Sequence, residues 1–105
     1  TLHENATALG VGSADASLWF IGDTKDTKND YDGPGMNHLG LHVQNQNEVD
    51  KMVEYLQKKD IAPLFETPRH RPEFSEDTEH TYYQVMFETP DKILVEVVYI
   101  GLFEK

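Results

Sequence analysis

The sequence predicts an α+β fold in which a βαβββ module over residues 37–105 follows a β-hairpin and linker within residues 1–36, the two parts forming one domain. Two observations carry that reading. A short alternating strand runs directly into a one-sided amphipathic helix, and two β-branched and aromatic runs near the C-terminus flank a turn that contains proline. At 105 residues the chain has the length of one domain and no room for a second core.

Taken in order, Thr7 to Gly12 and Ala16 to Ile21 read as two strands, the second centred on Leu18-Trp19-Phe20-Ile21, joined by the turn-forming Gly12-Ser13-Ala14-Asp15. From Gly22 to Asn37 the chain is polar and reads as a solvated linker. His38 to Val43 alternates at period two, with Leu39, Leu41 and Val43 on one face and His38, Gly40 and His42 on the other. In Asn45 to Lys59, Val49, Met52, Val53 and Leu56 fall at i, i+3, i+4 and i+7 of a helix. Asn45 or Asn47 caps it, Glu48 and Asp50 meet its positive first turn, and Lys58 and Lys59 meet its negative end. Ile61 to Phe65 reads as the next strand, ending before Pro68, and Glu66 to His80 as a charged irregular loop. Tyr82 to Glu88 and Ile93 to Ile100 then form an antiparallel hairpin about Thr89-Pro90-Asp91-Lys92.

Nine Lys and Arg against nineteen Asp and Glu give a net charge of −10. Such a chain repels phosphate backbones and anionic lipid, so neither nucleic acid nor membrane is an expected partner. With 38% hydrophobic and 10% aromatic residues the acidity reads as solubility, not disorder. The absence of cysteine removes disulfides, thiolate zinc sites and a cysteine nucleophile together. No membrane-length apolar run and no signal pattern occur, which points to the cytoplasm. P-loop, GxGxxG, GxSxG and HExxH motifs are absent, leaving His, carboxylate, Arg and Tyr chemistry.

Glu96 is the most informative residue. It interrupts Ile93-Leu94-Val95-Glu96-Val97-Val98-Tyr99-Ile100, a run apolar on both faces, where an unpartnered charge costs several kcal/mol. A metal, a cation, hydrogen-bond donors or a retained proton must meet it, unless its face opens to solvent. His38 opens the strand before the helix, and an imidazole beside a carboxylate on a neighbouring strand is half of a divalent-metal site. His42 shares that face but lies about 13 Å away at strand rise, so it packs or contacts a bound group instead. Arg71 either holds an anionic ligand group or pairs with a neighbouring acid. Tyr82 and Tyr83 point to opposite faces, so one of them lines a cavity while the other joins the core. His3, His70 and His80 read as solvated.

These residues carry a resemblance. Asn37-His38-Leu39-Gly40-Leu41-His42-Val43 running into the helix, Arg71-Pro72-Glu73-Phe74, the Tyr82-Tyr83 strand, and Thr89-Pro90-Asp91-Lys92 leading to Val95-Glu96-Val97 resemble the second module of a vicinal oxygen chelate protein. That is the glyoxalase, bleomycin-resistance and dioxygenase superfamily, and Leu18-Trp19-Phe20-Ile21 resembles the last strand of a first module in its glyoxalase-like branch. The resemblance implies two βαβββ modules whose sheets enclose a cup holding a divalent metal (Zn, Mn, Fe, Co or Ni) that chelates vicinal oxygens of a small-molecule substrate. It makes His38 and Glu96 metal ligands, gives Glu96 a catalytic role, and sets Arg71, Tyr82, Tyr83, His42 and Trp19 around the ligand. The implied activity is that of a metal-dependent lyase or isomerase.

The chain departs from that pattern in its first module. Asn37 to Ile100 spans 64 residues and 36 precede it, about 28 short of two equal modules, the shortfall matching an opening strand and helix. Trp19, Phe20 and Ile21 supply no metal ligand. Three alternatives follow: a piece or inactive remnant of a longer enzyme, a short chain that homodimerises over its open sheet edge, or a non-catalytic protein that binds or sequesters a small, apolar or cationic molecule such as a drug.

Overall fold

The structure, a computed structural model, describes all 105 residues. Its elements are β1 (His3–Glu4), β2 (Ala8–Gly12), β3 (Ser17–Ile21), β4 (His38–His42), α1 (Gln46–Lys58), β5 (Leu64–His70), a 3-10 turn at Pro72–Phe74, β6 (His80–Glu88) and β7 (Leu94–Leu102). They form a three-stranded sheet in the order β1-β2-β3 and a four-stranded sheet in the order β4-β7-β6-β5. β4 and β7 run parallel, and every other pairing is antiparallel. From β4 onward this is the predicted βαβββ module.

The helix begins where its cap directs. Asn45 is extended, and its side chain accepts from the Glu48 N–H at 3.0 Å, satisfying a donor that the first turn leaves free. The apolar stripe then buries Val49 and Leu56 completely against Val85, Val97 and Tyr99. Because strand side chains alternate, packing Val85 and Val97 under α1 sends Tyr82, Gln84, Met86 and Glu96 to the opposite sheet face. The core thus lies between helix and sheet, and the far face of the same sheet is left to form a site.

Three expectations are corrected. The N-terminal hairpin has a third strand, β1, because the Asn5 side chain accepts from the N–H groups of Thr7 and Ala8 and turns the chain back on β2. The strand expected at Ile61–Phe65 lies at Leu64–His70 and passes through Pro68. Since β5 is an edge strand, the proline sacrifices no interior ladder bond. A bulge between Leu64 and Arg69 sets Phe65 and Glu66 at φ of 56° and 61°, and the Thr67 hydroxyl fills the gap, accepting from Met86 N–H at 2.9 Å and donating to Leu64 C=O at 2.7 Å.

The third correction concerns the charged stretch read as an irregular loop and His70 within it. More than half of the charged stretch is strand and 3-10 turn, and His70 is stacked between the rings of Tyr83 and Phe103, with centroids 4.4 and 4.6 Å away. His3 lies in β1, 5.7 Å from the Trp19 ring, and is exposed as expected. The linker is largely exposed, as expected, yet is docked on the β6–β7 turn: Asn29 donates through its backbone to Asp91 C=O and through its side chain to Lys92 C=O, both at 2.9 Å, and Tyr31 donates to Glu88 at 3.2 Å. No strand of the first sheet packs against α1 or the second sheet. The radius of gyration is accordingly 15.5 Å, against about 13 Å for a compact chain of this length. No helix is long and apolar enough to cross a membrane.

Candidate functional site

Parallel pairing places His38 opposite Leu94 and Gly40 opposite Glu96. His38 and Gly40 share a face, so the strip of β4 beside the carboxylate is filled from one side only. A Cβ at position 40 would lie 3.3 Å from Glu96 Oε1. The bare glycine leaves that strip open, and His38 Nε2 comes to 3.6 Å from Glu96 Oε1.

Glu96 is 5% exposed. Its other oxygen, Oε2, accepts from the Tyr82 hydroxyl at 2.7 Å and from the side-chain amide of Gln84. Burial, and then the hydrogen bond to Glu96 and its charge, push the Tyr82 phenol up to about 12, so it stays a donor throughout the physiological range. Gln84, 2% exposed, is held at its other end by Arg71, whose Nη1 donates to the amide oxygen at 2.9 Å. Arg71 Nε donates to Glu73 at 2.7 Å, and that bond holds the Glu73 carboxyl below its usual range. The guanidinium lies 4.7 Å from the Phe74 ring centroid, and Phe74 meets Tyr82 edge-on at 5.3 Å. Arg71, Gln84, Glu96 and Tyr82 are therefore one connected polar network in which a neutral amide separates the cation from the anion.

This network forms the floor of an open cavity of about 600 Å³, also lined by His38, Phe65 and Met86. His38 and Glu96 supply an imidazole nitrogen and a carboxylate, the donor types that divalent first-row ions take. His38 Nδ1 lies 2.9 Å from Asn37 Oδ1, and Asn37 Nδ2 donates to the Tyr31 carbonyl at 2.8 Å.

Four of the residues singled out in the sequence, His38, Arg71, Tyr82 and Glu96, meet in this cavity. The others do not. Tyr83 faces α1 and donates to Asp50 at 2.6 Å, His42 lies exposed opposite Val98, and Trp19 stands on the separate first sheet against His3. Gln84 and Met86 join them without a chemical signal of their own in the sequence, since only period two from Tyr82 places them on its face. Phe65 reaches the cavity only through the bulge in β5, which leaves no sequence pattern. A second group, Glu76, Asp77 and His80, brings ligand atoms within 4.8 Å of one another. It is less suited to an ion than the cavity, because its carboxylates are exposed and His80 Nδ1 is already bonded to Asp77 at 2.8 Å.

No family model and no curated protein matches the chain. Solved structures do. A protein assigned as a glyoxalase from Bacillus halodurans superposes with a TM-score of 0.72 at 22% identity, over 92% of this chain and 71% of that one. A glyoxalase/bleomycin resistance protein/dioxygenase from Alicyclobacillus acidocaldarius gives 0.65 at 13% identity, over 97% and 71%. A glyoxylase/bleomycin resistance protein/dioxygenase domain from Frankia sp. EAN1pec gives 0.61 at 20% identity, over 92% and 72%. The architecture of this chain is therefore that of the vicinal oxygen chelate fold.

Proposed function

We propose that this chain, built on the vicinal oxygen chelate fold, holds a divalent metal ion between His38 and Glu96 and acts as a lyase or isomerase on a small molecule with adjacent oxygens. The supporting observation is Glu96 itself: a buried carboxylate that no Lys or Arg pairs with directly, facing an imidazole nitrogen at 3.6 Å. Two ligand atoms on one tetrahedral ion stand about 3.4 Å apart, given metal–ligand bonds near 2.1 Å. The observed separation is close to that, and Zn, Mn, Fe, Co and Ni all accept this donor pair. Residues 1–36 are read as part of a first module, and the exposed Trp19, Phe20 and Ile21 beside the free edge of β3 as the surface that a second copy covers.

Bound there, the ion would polarise a substrate carbonyl and stabilise the negative charge that develops on its oxygen. The chain's own residues do the rest. Tyr82 and Gln84 hold the Glu96 carboxylate in place as donors, and Glu96 exchanges a proton with the carbon beside the carbonyl. Arg71 directs the N–H groups that Glu73 and Gln84 leave free toward an anionic oxygen of the substrate. Phe65, Phe74 and Met86 take the apolar body and limit water around it.

Isothermal titration with Mn²⁺ and Zn²⁺, backed by native mass spectrometry, tests this reading on the intact chain. Near-stoichiometric binding that Glu96→Gln abolishes is the expected result, and metal binding indifferent to that change overturns it. A second reading, non-catalytic binding of a small molecule, is favoured by the apolar rings of Phe65 and Phe74 and by the presence of only two metal-ligand side chains in the cavity. It predicts small-molecule affinity that Glu96→Gln alters by less than about tenfold, or 1.4 kcal/mol.

A further inference from the structure

The linker between the two sheets carries a chemical decision into the site. We propose that Asn37 selects the tautomer of His38, and that the main-chain carbonyl of Tyr31 sets the orientation of Asn37 and hence the choice. The consequence for metal affinity rests on the functional reading above; the tautomer itself does not.

The argument follows the direction of each hydrogen bond. A carbonyl oxygen only accepts, so the Asn37 atom 2.8 Å from Tyr31 C=O is its NH₂ group. The amide oxygen is then the atom 2.9 Å from His38 Nδ1, and because it too only accepts, Nδ1 carries the proton. In a neutral imidazole Nε2 then presents a lone pair, and it does so toward Glu96 Oε1. At 3.6 Å the two are beyond hydrogen-bond distance, as two acceptors facing one another should be. The opposite tautomer would bring Nε2–H onto Glu96 Oε1, drawing the pair together and occupying both lone pairs that a cation needs.

Tyr31 is not free to wander. Its hydroxyl is tied to Glu88, and Asn29, two residues earlier, is tied twice to the turn at Asp91 and Lys92. The polar segment that joins the sheets is thereby a structural part of the site, with Asn37 a positioning residue that acts through His38. Partners of this kind are worth about 10–100-fold in metal affinity.

Long-range ¹H–¹⁵N correlation spectra of the metal-free, ¹⁵N-labelled protein at pH 8 report which His38 nitrogen carries the proton. The expected result is Nδ1–H in the natural chain, Nε2–H in Asn37→Leu, and Nδ1–H again in Asn37→Asp, whose carboxylate also accepts. Zn²⁺ titrations should show Asn37→Leu weakening binding about 10–100-fold and Asn37→Asp staying within about threefold of the natural chain. An Nε2–H tautomer in the natural chain overturns the proposal without recourse to any variant, and so does an unchanged tautomer in a folded Asn37→Leu. If the natural chain binds no metal, the functional reading fails while the metal-free spectrum still decides this one.

Discussion

Gln84 joins a buried anion to a half-buried cation, and replacing it with leucine asks how much that link stabilises the fold. Its amide oxygen accepts from Arg71 at 2.9 Å and its amide nitrogen donates to Glu96, while the residue itself is 2% exposed. Each bond has one charged partner and is worth about 1.5–3 kcal/mol, so Gln84→Leu forfeits about 3–6 kcal/mol in all. The leucine keeps most of the volume and its burial returns about 1.5–3 kcal/mol. Set low end against low and high against high, a net loss of about 1.5–3 kcal/mol is expected, and each kcal/mol lowers Tm by about 4–8 °C for a domain of this size. Urea unfolding at pH 7 should show a lower midpoint with an unchanged slope. A double-mutant cycle pairing Gln84→Leu with Glu96→Gln should show coupling of about 0.5–3 kcal/mol. A Gln84→Leu protein within about 0.5 kcal/mol of the natural chain, or more stable than it, refutes the reasoning. The network would then serve geometry alone, as buried ionic groups sometimes do.

Alkaline pH should find the same network from its other side. The phenols of Tyr82 and Tyr83 are both pushed up to about 12, by burial first and then by their bonds to Glu96 and Asp50. The folded chain keeps protons that the unfolded chain releases near pH 10, so this contribution is complete below pH 10 and is lost as pH rises toward 12. Urea midpoints measured from pH 9 to 11.5 should fall, and should fall less steeply in Tyr82→Phe/Tyr83→Phe; parallel curves refute the assignment. Trp19, the chain's single tryptophan, is 51% exposed on the first sheet. If a second copy covers that sheet, its emission should be blue-shifted at high protein concentration and move red on dilution, whereas concentration-independent emission of an exposed indole excludes that interface.

The helix and the strands around it were legible because their signals are local. Asn45 caps, Val49 and Leu56 recur at helical spacing, and β4 alternates, so each element announces its own period and end. β5 failed on the same logic. Pro68 ends an interior strand, but whether a strand is interior depends on which neighbour the sheet supplies, and that information lies outside the segment. His70 shows the same limit: its stacking partners Tyr83 and Phe103 are distant in sequence and meet it only once β5, β6 and the C-terminal residues are in register.

The candidate site divides along a similar line. Glu96 stood out because a carboxylate inside a doubly apolar strand needs a partner whatever the topology. Which partner it meets is a matter of register: Gly40 lies opposite it, and a shift of one residue would turn His38 to the helix side and put Leu39 or Leu41 beside the carboxylate. The orienting groups are harder still to read. Nothing about a polar linker marks Tyr31 as the residue whose carbonyl turns Asn37, because that role belongs to the main chain and any side chain at position 31 would offer the same oxygen. What the sequence does contribute is Asn29 and the Tyr31 hydroxyl, which tie the linker to the β6–β7 turn and hold that oxygen where Asn37 can use it. The identity of residues in such a segment therefore encodes where a backbone atom sits, and the site's chemistry depends on that position more than on any motif the linker displays.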